Sequence, residues 1–251
     1  MRYVGVSALS HDGLVREHNE DSVVVGPWTL CAAITMTPQT LFFPLGDPVI
    51  AAVADGLGGH PAGDVASSLA VRHLARIGAD LTDADAIRDG VLACNDLVYA
   101  EAGRRRERAG MGTTLAGIVL TDEVVFVFNV GDSRVYEVVN SAVHQVSVDD
   151  NEPAGRGERR SSVLTQSLGG RVVSAPVRPH ISSRPIADRS RYLICTDGLT
   201  DAVDEPTIAA VLAEHDGGRA VFELWRSAIE GGAPDNVTIA LAEVTTEPDV
   251  R

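Results

Sequence analysis

The sequence predicts an α+β protein in which antiparallel β-sheets are covered by helices, and three observations carry that prediction. Short apolar runs separated by turn residues fill most of the chain. In its middle part they follow one another as closely as hairpin strands do. Segments with helical spacing come in pairs between groups of strands, which argues against alternating βαβ units. No internal repeat or low-complexity linker divides the 251 residues, so 1–251 reads as one domain, long enough to bury a substantial core.

In chain order, "YVGVSAL" (3–9) is a strand that meets a turn at Asp12-Gly13, and "SVVVGPWTLCAAI" (22–34) follows. Residues 35–47, with two prolines and the exposed-looking pair Phe42-Phe43, read as a loop. "PVIAAVAD" (48–55) is the next strand. Residues 62–79 place Val65, Leu69, His73, Leu74 and Ile77 at helical spacing, and 84–102 do the same with Ile87, Val91, Leu92 and Val98. "TTLAGIVL", "EVVFVFNV", "SRVYEVV" and "AVHQVSV" then form a meander, with turns at Thr121-Asp122, Gly131-Asp132 and Asn140-Ser141. "RYLICTD" and "NVTIALAEV" are late strands. Between them, 206–215 and 218–230 read as a helix pair, with Pro206 at a first helical position and a stripe of Val221, Leu224, Trp225 and Ile229.

Composition removes several function classes. The formal charge of −14 argues against a nucleic-acid or anionic-membrane binder. All 21 basic residues are arginine, which excludes chemistry that must use a lysine amine, including Schiff bases, phosphate-loop lysines and the usual kinase site. Three widely spaced cysteines with no CxxC pair do not make a disulfide framework or a zinc ribbon. The N-terminus lacks a signal-peptide apolar region, and no apolar run reaches the roughly 18 residues of a membrane span. A cytoplasmic protein is expected, and a monomer, since Phe42-Phe43 is the most conspicuous exposed apolar feature.

The acids are placed unevenly. Asp55, Asp132 and Asp197 follow strands, whereas Asp21 and Asp235 stand just before strands. In an antiparallel sheet the end of an up strand and the start of a down strand share an edge, so these five converge on one rim. Two carboxylates about 4 Å apart repel by roughly 4 kcal/mol at an effective dielectric of 20. With no lysine to offset five of them, divalent cations are the natural compensation. An all-oxygen set without a Cys pair or HExxH favours Mg²⁺ or Mn²⁺ over zinc or copper. Any one of these acids alone would read as a turn residue or helix cap; the joint pattern reads as metal binding. Gly56 and the glycines after it suit a backbone carbonyl that reaches the metal held by Asp55. Two oxygen-bound metals sharing a carboxylate activate water for in-line displacement at phosphorus.

Seven motifs, "VREHNEDS" (15–22), "ADGLGGHPAGDVAS" (54–67), "GMGTTLAG" (110–117), "NVGDSRVY" (129–136), "LTQSLGG" (164–170), "CTDGLTD" (195–201) and "DNVTIAL" (235–241), occur in an order that resembles the bacterial branch of the metal-dependent protein phosphatases of the 2C type. The resemblance spans roughly residues 3–243. It implies a four-layer αββα sandwich, two antiparallel β-sheets packed face to face and flanked by helix pairs, with the metals at one end. It further implies that Asp55 bridges two Mn²⁺ or Mg²⁺ ions and that Gly56 gives its carbonyl to one of them. Asp197 and Asp235 would hold the other ion, with Asp21 in that shell through water. Asp132 would join Asp197 at a third, weaker ion, and Arg16 would grip the substrate phosphate, for which a guanidinium offers paired donors. The implied activity is hydrolysis of phosphoserine and phosphothreonine on proteins, the partners being phosphorylated substrates of a Ser/Thr kinase. A regulatory module without activity and a phosphoesterase acting on small molecules are the competing readings. All five acids being present disfavours the first of these.

Two departures from that family matter. Where eukaryotic members carry a histidine after the Asp-Gly pair, proposed there as general acid, this chain has Leu57. His60 is close but offset, either a proton donor or a packing residue beside the glycine loop. The flap, residues 149–163 and centred on "DDNEPAGRGERRSS", is short, and its Arg156, Arg159 and Arg160 are expected to recruit acidic phosphopeptides or to be solvated. Other motifs lead nowhere. "DADAIRDG" (83–90) fails as a calcium loop because Ile87, Arg88 and Cys94 fall on ligand or glycine positions. Pro61 spoils a dinucleotide fingerprint. "RRRER" (104–108) reads as a solvated helix end, and Asn236-Val-Thr238 as a sequon without consequence in the cytosol.

Overall fold

Alternate residues of "VIAAVA" face two different apolar layers: Val49, Ala51 and Val53 one, Ile50, Ala52 and Ala54 the other. A strand buried on both faces needs an apolar residue at every position, and hence shows a continuous run instead of alternation. The computed structural model in which this is seen describes residues 2–57, 62–140, 142–153, 161 and 163–246.

The first strands are β1 (Tyr3–His11), β2 (Ser22–Val25), β3 (Trp28–Cys31), β4 (Gln39–Pro44) and β5 (Val49–Ala54). Two helices follow, α1 (Gly63–Ile77) and α2 (Ala84–Ala102); Asp83 caps the second by accepting from the amides of Asp85 and Ala86. Then come β6 (Gly112–Thr113), β7 (Leu115–Leu120), β8 (Val124–Val130), β9 (Arg134–Val139), β10 (Ala142–Gln145), β11 (Leu168–Gly169), β12 (His180–Pro185) and β13 (Arg191–Cys195). The chain closes with α3 (Asp197–Ala202), α4 (Glu205–Glu214), α5 (Gly217–Glu230) and β14 (Val237–Thr245).

Among the described residues one six-stranded sheet runs β10-β9-β13-β14-β1-β4 and a second runs β12-β8-β7-β5-β2-β3. Neighbouring strands in both are antiparallel. Val4, Val6 and Ala8 of the first sheet meet Val23, Val53 and Ile118 of the second in one buried layer. The outer face of the second sheet, with Ile50, Ala52 and Val119, is covered by Leu74 of α1 and Ile87 and Val91 of α2. Leu9, Leu193 and Leu241 on the outer face of the first are covered by α3, α4 and α5 through Leu199, Ile208 and Leu224. This is the expected αββα sandwich. Burial of these side chains at about 25 cal/mol per Å² is what holds the four layers together.

Two segments differ from expectation. Residues 35–47 are not a plain loop, because β4 pairs along β1 from Ala8↔Gln39 to Tyr3↔Pro44. Pro38 precedes this edge strand and Pro44 ends it, the positions where a missing amide costs no ladder bond. Phe43 packs against the inter-sheet layer, whereas Phe42 lies outward over Gly5 and stays 38% exposed. The polar run "HISSRP" also forms a strand, β12, pairing with β8 at the edge of the second sheet. Its half-exposed pattern gives no apolar signal to read.

Candidate metal centre and substrate cleft

Strand register brings the five acids to one end of the sandwich. Ser22 pairs with Ala54, so Asp21 before β2 and Asp55 after β5 share an edge of the second sheet. His11 pairs with Val237, Cys195 with Ile239 and Arg134 with Cys195, so Asp235, Asp197 and Asp132 share the same edge of the first. Asp132 lies on the β8–β9 connection, which crosses from one sheet to the other. Asp197 has a second structural role, as the first residue of α3.

The electrostatics are those of crowded carboxylates. Asp21 is fully buried, and burial, with the charges of Asp197 and Asp235, pushes its pKa up to about 7. Asp197 is likewise pushed up to about 7 by burial and by Asp132 and Asp201, against a hydrogen bond with Asp55 that works the other way. Asp55 is raised well above its ordinary value by burial and then by Asp21, Asp197, Asp235 and Asp132. Asp21 Oδ2 accepts from Thr196 Oγ1 at 2.9 Å, while its buried Oδ1 has no hydrogen-bond partner among the described residues. An orphaned carboxylate oxygen in a ring of mutually repelling acids fits a hard divalent cation. Among the described residues no three carboxylate, imidazole or thiol side chains already close on a single point, so the acids form a rim and not a finished cage.

Beneath the rim lies a polar layer to which sequence reasoning assigned no role. Thr238 Oγ1 and Ser10 Oγ are 2.7 Å apart, Asn19 Nδ2 donates to that serine at 2.8 Å, and the amide of Thr238 donates to Thr196 Oγ1 at 3.0 Å. Thr114 Oγ1 and Ser133 Oγ, 2.7 Å apart, join the strand beside Asp55 to the turn that carries Asp132. Asn236, dismissed above as half of a sequon, straps the loop bearing Arg16. Its Nδ2 donates to the carbonyls of Asp12 and His18, both at 3.0 Å, and its Oδ1 accepts from the amide of Glu20 at 2.8 Å. The signal was present in "NEDS", "GDSR", "CTDG" and "DNVT", where small polar residues stand directly beside the acids; Thr114, which has no acid beside it in sequence, gave none.

Gly56 is explained by close approach of the chain to itself. A Cβ there would come within 2.5 Å of the Gly63 backbone and 2.7 Å of the Glu20 carbonyl. What sits against this glycine backbone is thus the start of α1. Arg16 donates from Nη2 to Asp235 Oδ2 at 2.8 Å, placing the guanidinium on the rim. Arg16 and four of the acids, Asp55, Asp132, Asp197 and Asp235, line a cleft of about 740 Å³ together with residues drawn from 163–167, 169–171 and 175–177, which form its other wall. Asp21 is buried and does not line it. His60 and the flap arginines Arg156, Arg159 and Arg160 lie outside the described residues, so the expectations placed on them have no structural counterpart here. Among the described residues no helix is long and apolar enough to cross a membrane.

Residues 41–216 match the family model described as protein phosphatase 2C. The chain is 32% identical to the serine/threonine protein phosphatase PstP of Mycobacterium tuberculosis, over 95% of this chain and 44% of that protein. It therefore spans less than half the length of these mycobacterial relatives. It is 30% identical to a Listeria welshimeri protein named serine/threonine phosphatase stp, covering 92% of both chains. Among solved structures it is similar to the catalytic domain of PstP in complex with two manganese ions, with a TM-score of 0.79 and 29% identity, covering 98% of this chain and all of that one. PppA, described as a regulatory component of the type VI secretion system of Pseudomonas aeruginosa, matches with a TM-score of 0.78 at 28% identity.

Proposed function

The chain belongs to the bacterial branch of the protein phosphatase 2C family, and on that premise we propose that it hydrolyses phosphoserine and phosphothreonine esters on proteins. The convergence of five aspartates at the end of the sandwich, with a buried orphan oxygen on Asp21, is the observation that carries this reading. In it, Asp55 and the Gly56 carbonyl would hold one Mn²⁺ or Mg²⁺, and Asp55, Asp197 and Asp235 would hold the other, with Asp21 in that shell. Asp132 and Asp197 would serve a third, weaker ion. Bound there, the ions supply water activation and charge neutralisation for in-line displacement at phosphorus.

The protein's own groups do the rest. Arg16 offers two-pronged donors to phosphate oxygens. Its pairing with Asp235 keeps the guanidinium at the mouth of the site instead of in bulk solvent. Thr196 and Asn19 fix Asp21, by a hydroxyl on Oδ2 and by an accepted backbone amide. Leu57 lines the cleft where a histidine donor would otherwise be sought, so leaving-group protonation falls to solvent in this reading.

We take residues 1–251 as one catalytic unit, a monomer in the cytoplasm acting on the products of a Ser/Thr kinase. The buried inter-sheet layer shared by both halves of the chain and the three free cysteines support this. The test is hydrolysis of p-nitrophenyl phosphate and a phosphothreonine peptide with Mn²⁺ and with EDTA. Metal-dependent turnover of both is expected. Absence of turnover in folded, Mn²⁺-loaded protein would move the assignment to a regulatory module, and turnover of the small ester alone to a phosphoesterase.

A further inference from the structure

The cleft wall opposite the acids contains a loop that is built with unusual care for something so exposed. Its two ends, Gly169 and Ala175, are pinned by two side chains of α2. Asn95, itself buried, accepts from the amide of Gly169 at 3.0 Å and donates to the carbonyl of Ala175 at 3.4 Å. The Tyr99 hydroxyl donates to the carbonyl of Gly169 at 3.2 Å and accepts from the amide of Ala175 at 3.2 Å. Gly170 is tied as well, its amide donating to the carbonyl of Met111 at 2.8 Å. Gly169 and Gly170 both have positive φ, 69° and 75°, a reversal that sets the direction in which the chain leaves the strand.

What this clamped base projects is Arg171, Val172 and Val173. The two valines are 82% and 78% exposed, the most exposed large apolar side chains among the described residues. Arg171 is exposed, lines the cleft and makes no ion pair among the described residues. Other arginines near the site are committed, Arg16 to Asp235 and Arg134 to Asp149. In a chain with 35 acidic side chains, a cation that pairs with none of the described ones at the edge of a cleft is available for a ligand. Val172 and Val173 do not line the cleft themselves; they follow Arg171 on the same fixed loop as an exposed apolar pair between the lining residues Arg171 and Ala175.

Resting on the phosphatase reading, we propose that the loop 169–175 reads the peptide flanking the phosphoresidue. Arg171 takes a carboxylate, and Val172 and Val173 take an apolar side chain. The substrate class is a phosphopeptide with an acidic and an aliphatic residue on the same flank. Asn95 and Tyr99 are positioning residues for that loop and do not touch the substrate.

The experiment compares phosphothreonine peptides that carry Glu and Leu, Gln and Ser, or Lys and Ser at the same flanking positions. The wild type should favour the Glu/Leu peptide in kcat/KM. Arg171→Glu should lower the Glu/Leu to Gln/Ser ratio by about fivefold, the size of one exposed ion pair, and raise the relative rate on the lysine peptide. Tyr99→Phe, which keeps the ring and removes the two bonds that Tyr99 gives the clamp while leaving those of Asn95, should narrow the ratio in the same direction by a smaller factor. A ratio left unmoved by both substitutions, in variants whose melting curves match the wild type, overturns the proposal. Fluorescence anisotropy of the same labelled peptides on the Mn²⁺-loaded protein separates the two layers of the argument. If the protein turns over no phosphoester, weaker binding of the Glu/Leu peptide by Arg171→Glu still supports the loop's role, and equal binding refutes it.

Discussion

The two walls of the cleft are made in opposite ways. The acidic wall is a product of sheet register: Asp55, Asp132, Asp197 and Asp235, with Asp21 buried behind them, arrive from separate strands, and each is fixed by the ladder behind it. The wall of residues 163–177 has little ladder, among the described residues only β11 and the bridge between Asn151 and Leu164, and draws on side chains of α2 to hold it. Register sets carboxylates to the tolerance that metal chemistry requires. A loop pinned at its base offers a surface that substitution can vary without disturbing the sheets.

The comparison can be broken most severely at the acids. Asp55→Asn and Asp197→Ala should each lower Mn²⁺-dependent hydrolysis of p-nitrophenyl phosphate by on the order of 10³, since each would remove a carboxylate that the proposed site uses for more than one ion. Steady-state rates at saturating Mn²⁺ check this, and a loss of less than tenfold would remove either residue from the proposed ligand set. Next in size is Thr196→Val, isosteric but unable to donate to Asp21. Calorimetric titration should show Mn²⁺ binding weakened by about 10–100-fold, the usual cost of losing an outer-shell partner.

A matched pair sharpens the contrast. Asn236→Ala and Asn95→Ala each delete a buried amide that bridges loop backbone, and each should cost about 2 kcal/mol in urea unfolding. Only the first should also weaken Mn²⁺ binding, because only Asn236 holds the segment between Arg16 and Asp21. Mn²⁺ binding weakened alike in both variants would mean that the walls are not independent, and binding unchanged in both would mean that the Asn236 strap does not position the acids.

The smallest expected effect is a pH dependence. Asp21 and Asp197 have folded-state pKa values near 7, above the roughly 3.9 of an unfolded aspartate. The native metal-free protein therefore holds more protons than the unfolded chain between these limits, and its stability falls as pH rises through that window. Its Tm should drop by a few degrees from about pH 5 to pH 7.5, and saturating Mn²⁺ should restore more at the upper end than at the lower. A metal-free Tm that rises across the interval would contradict the crowded-acid picture.

These walls also differ in how far the sequence discloses them. An acid next to an apolar run is visible because strand ends are visible, and antiparallel pairing makes shared edges a matter of counting. The helices over 84–102 and 218–230 were legible for the same reason, having one apolar stripe each. By contrast, β4 hid behind Pro38 and Pro44, and β12 behind a polar edge pattern, because an edge strand has no second neighbour to demand apolar residues. Asn95 and Tyr99 were invisible as loop clamps. They sit on a helix whose periodicity accounts for Ile87, Val91 and Val98 but not for contacts made more than seventy residues later in the chain. The reason for glycine at Gly56 was half legible: a close approach was required, but the approaching group is the chain's own backbone at Gly63.

The bond from Thr196 to Asp21 spans the sandwich, one partner at the end of β13 in the first sheet and the other at the start of β2 in the second. It acts as a rivet through two plates, and the Gly131–Ser133 crossing is a hinge pin beside it. Any slippage of one sheet over the other is levered onto the carboxylates at this end. The spacing of the acids thus gauges how well the hidden layer of Val6, Val53 and Ile118 is filled, and a methylene lost deep between the plates should be felt at the rim before it is felt as unfolding.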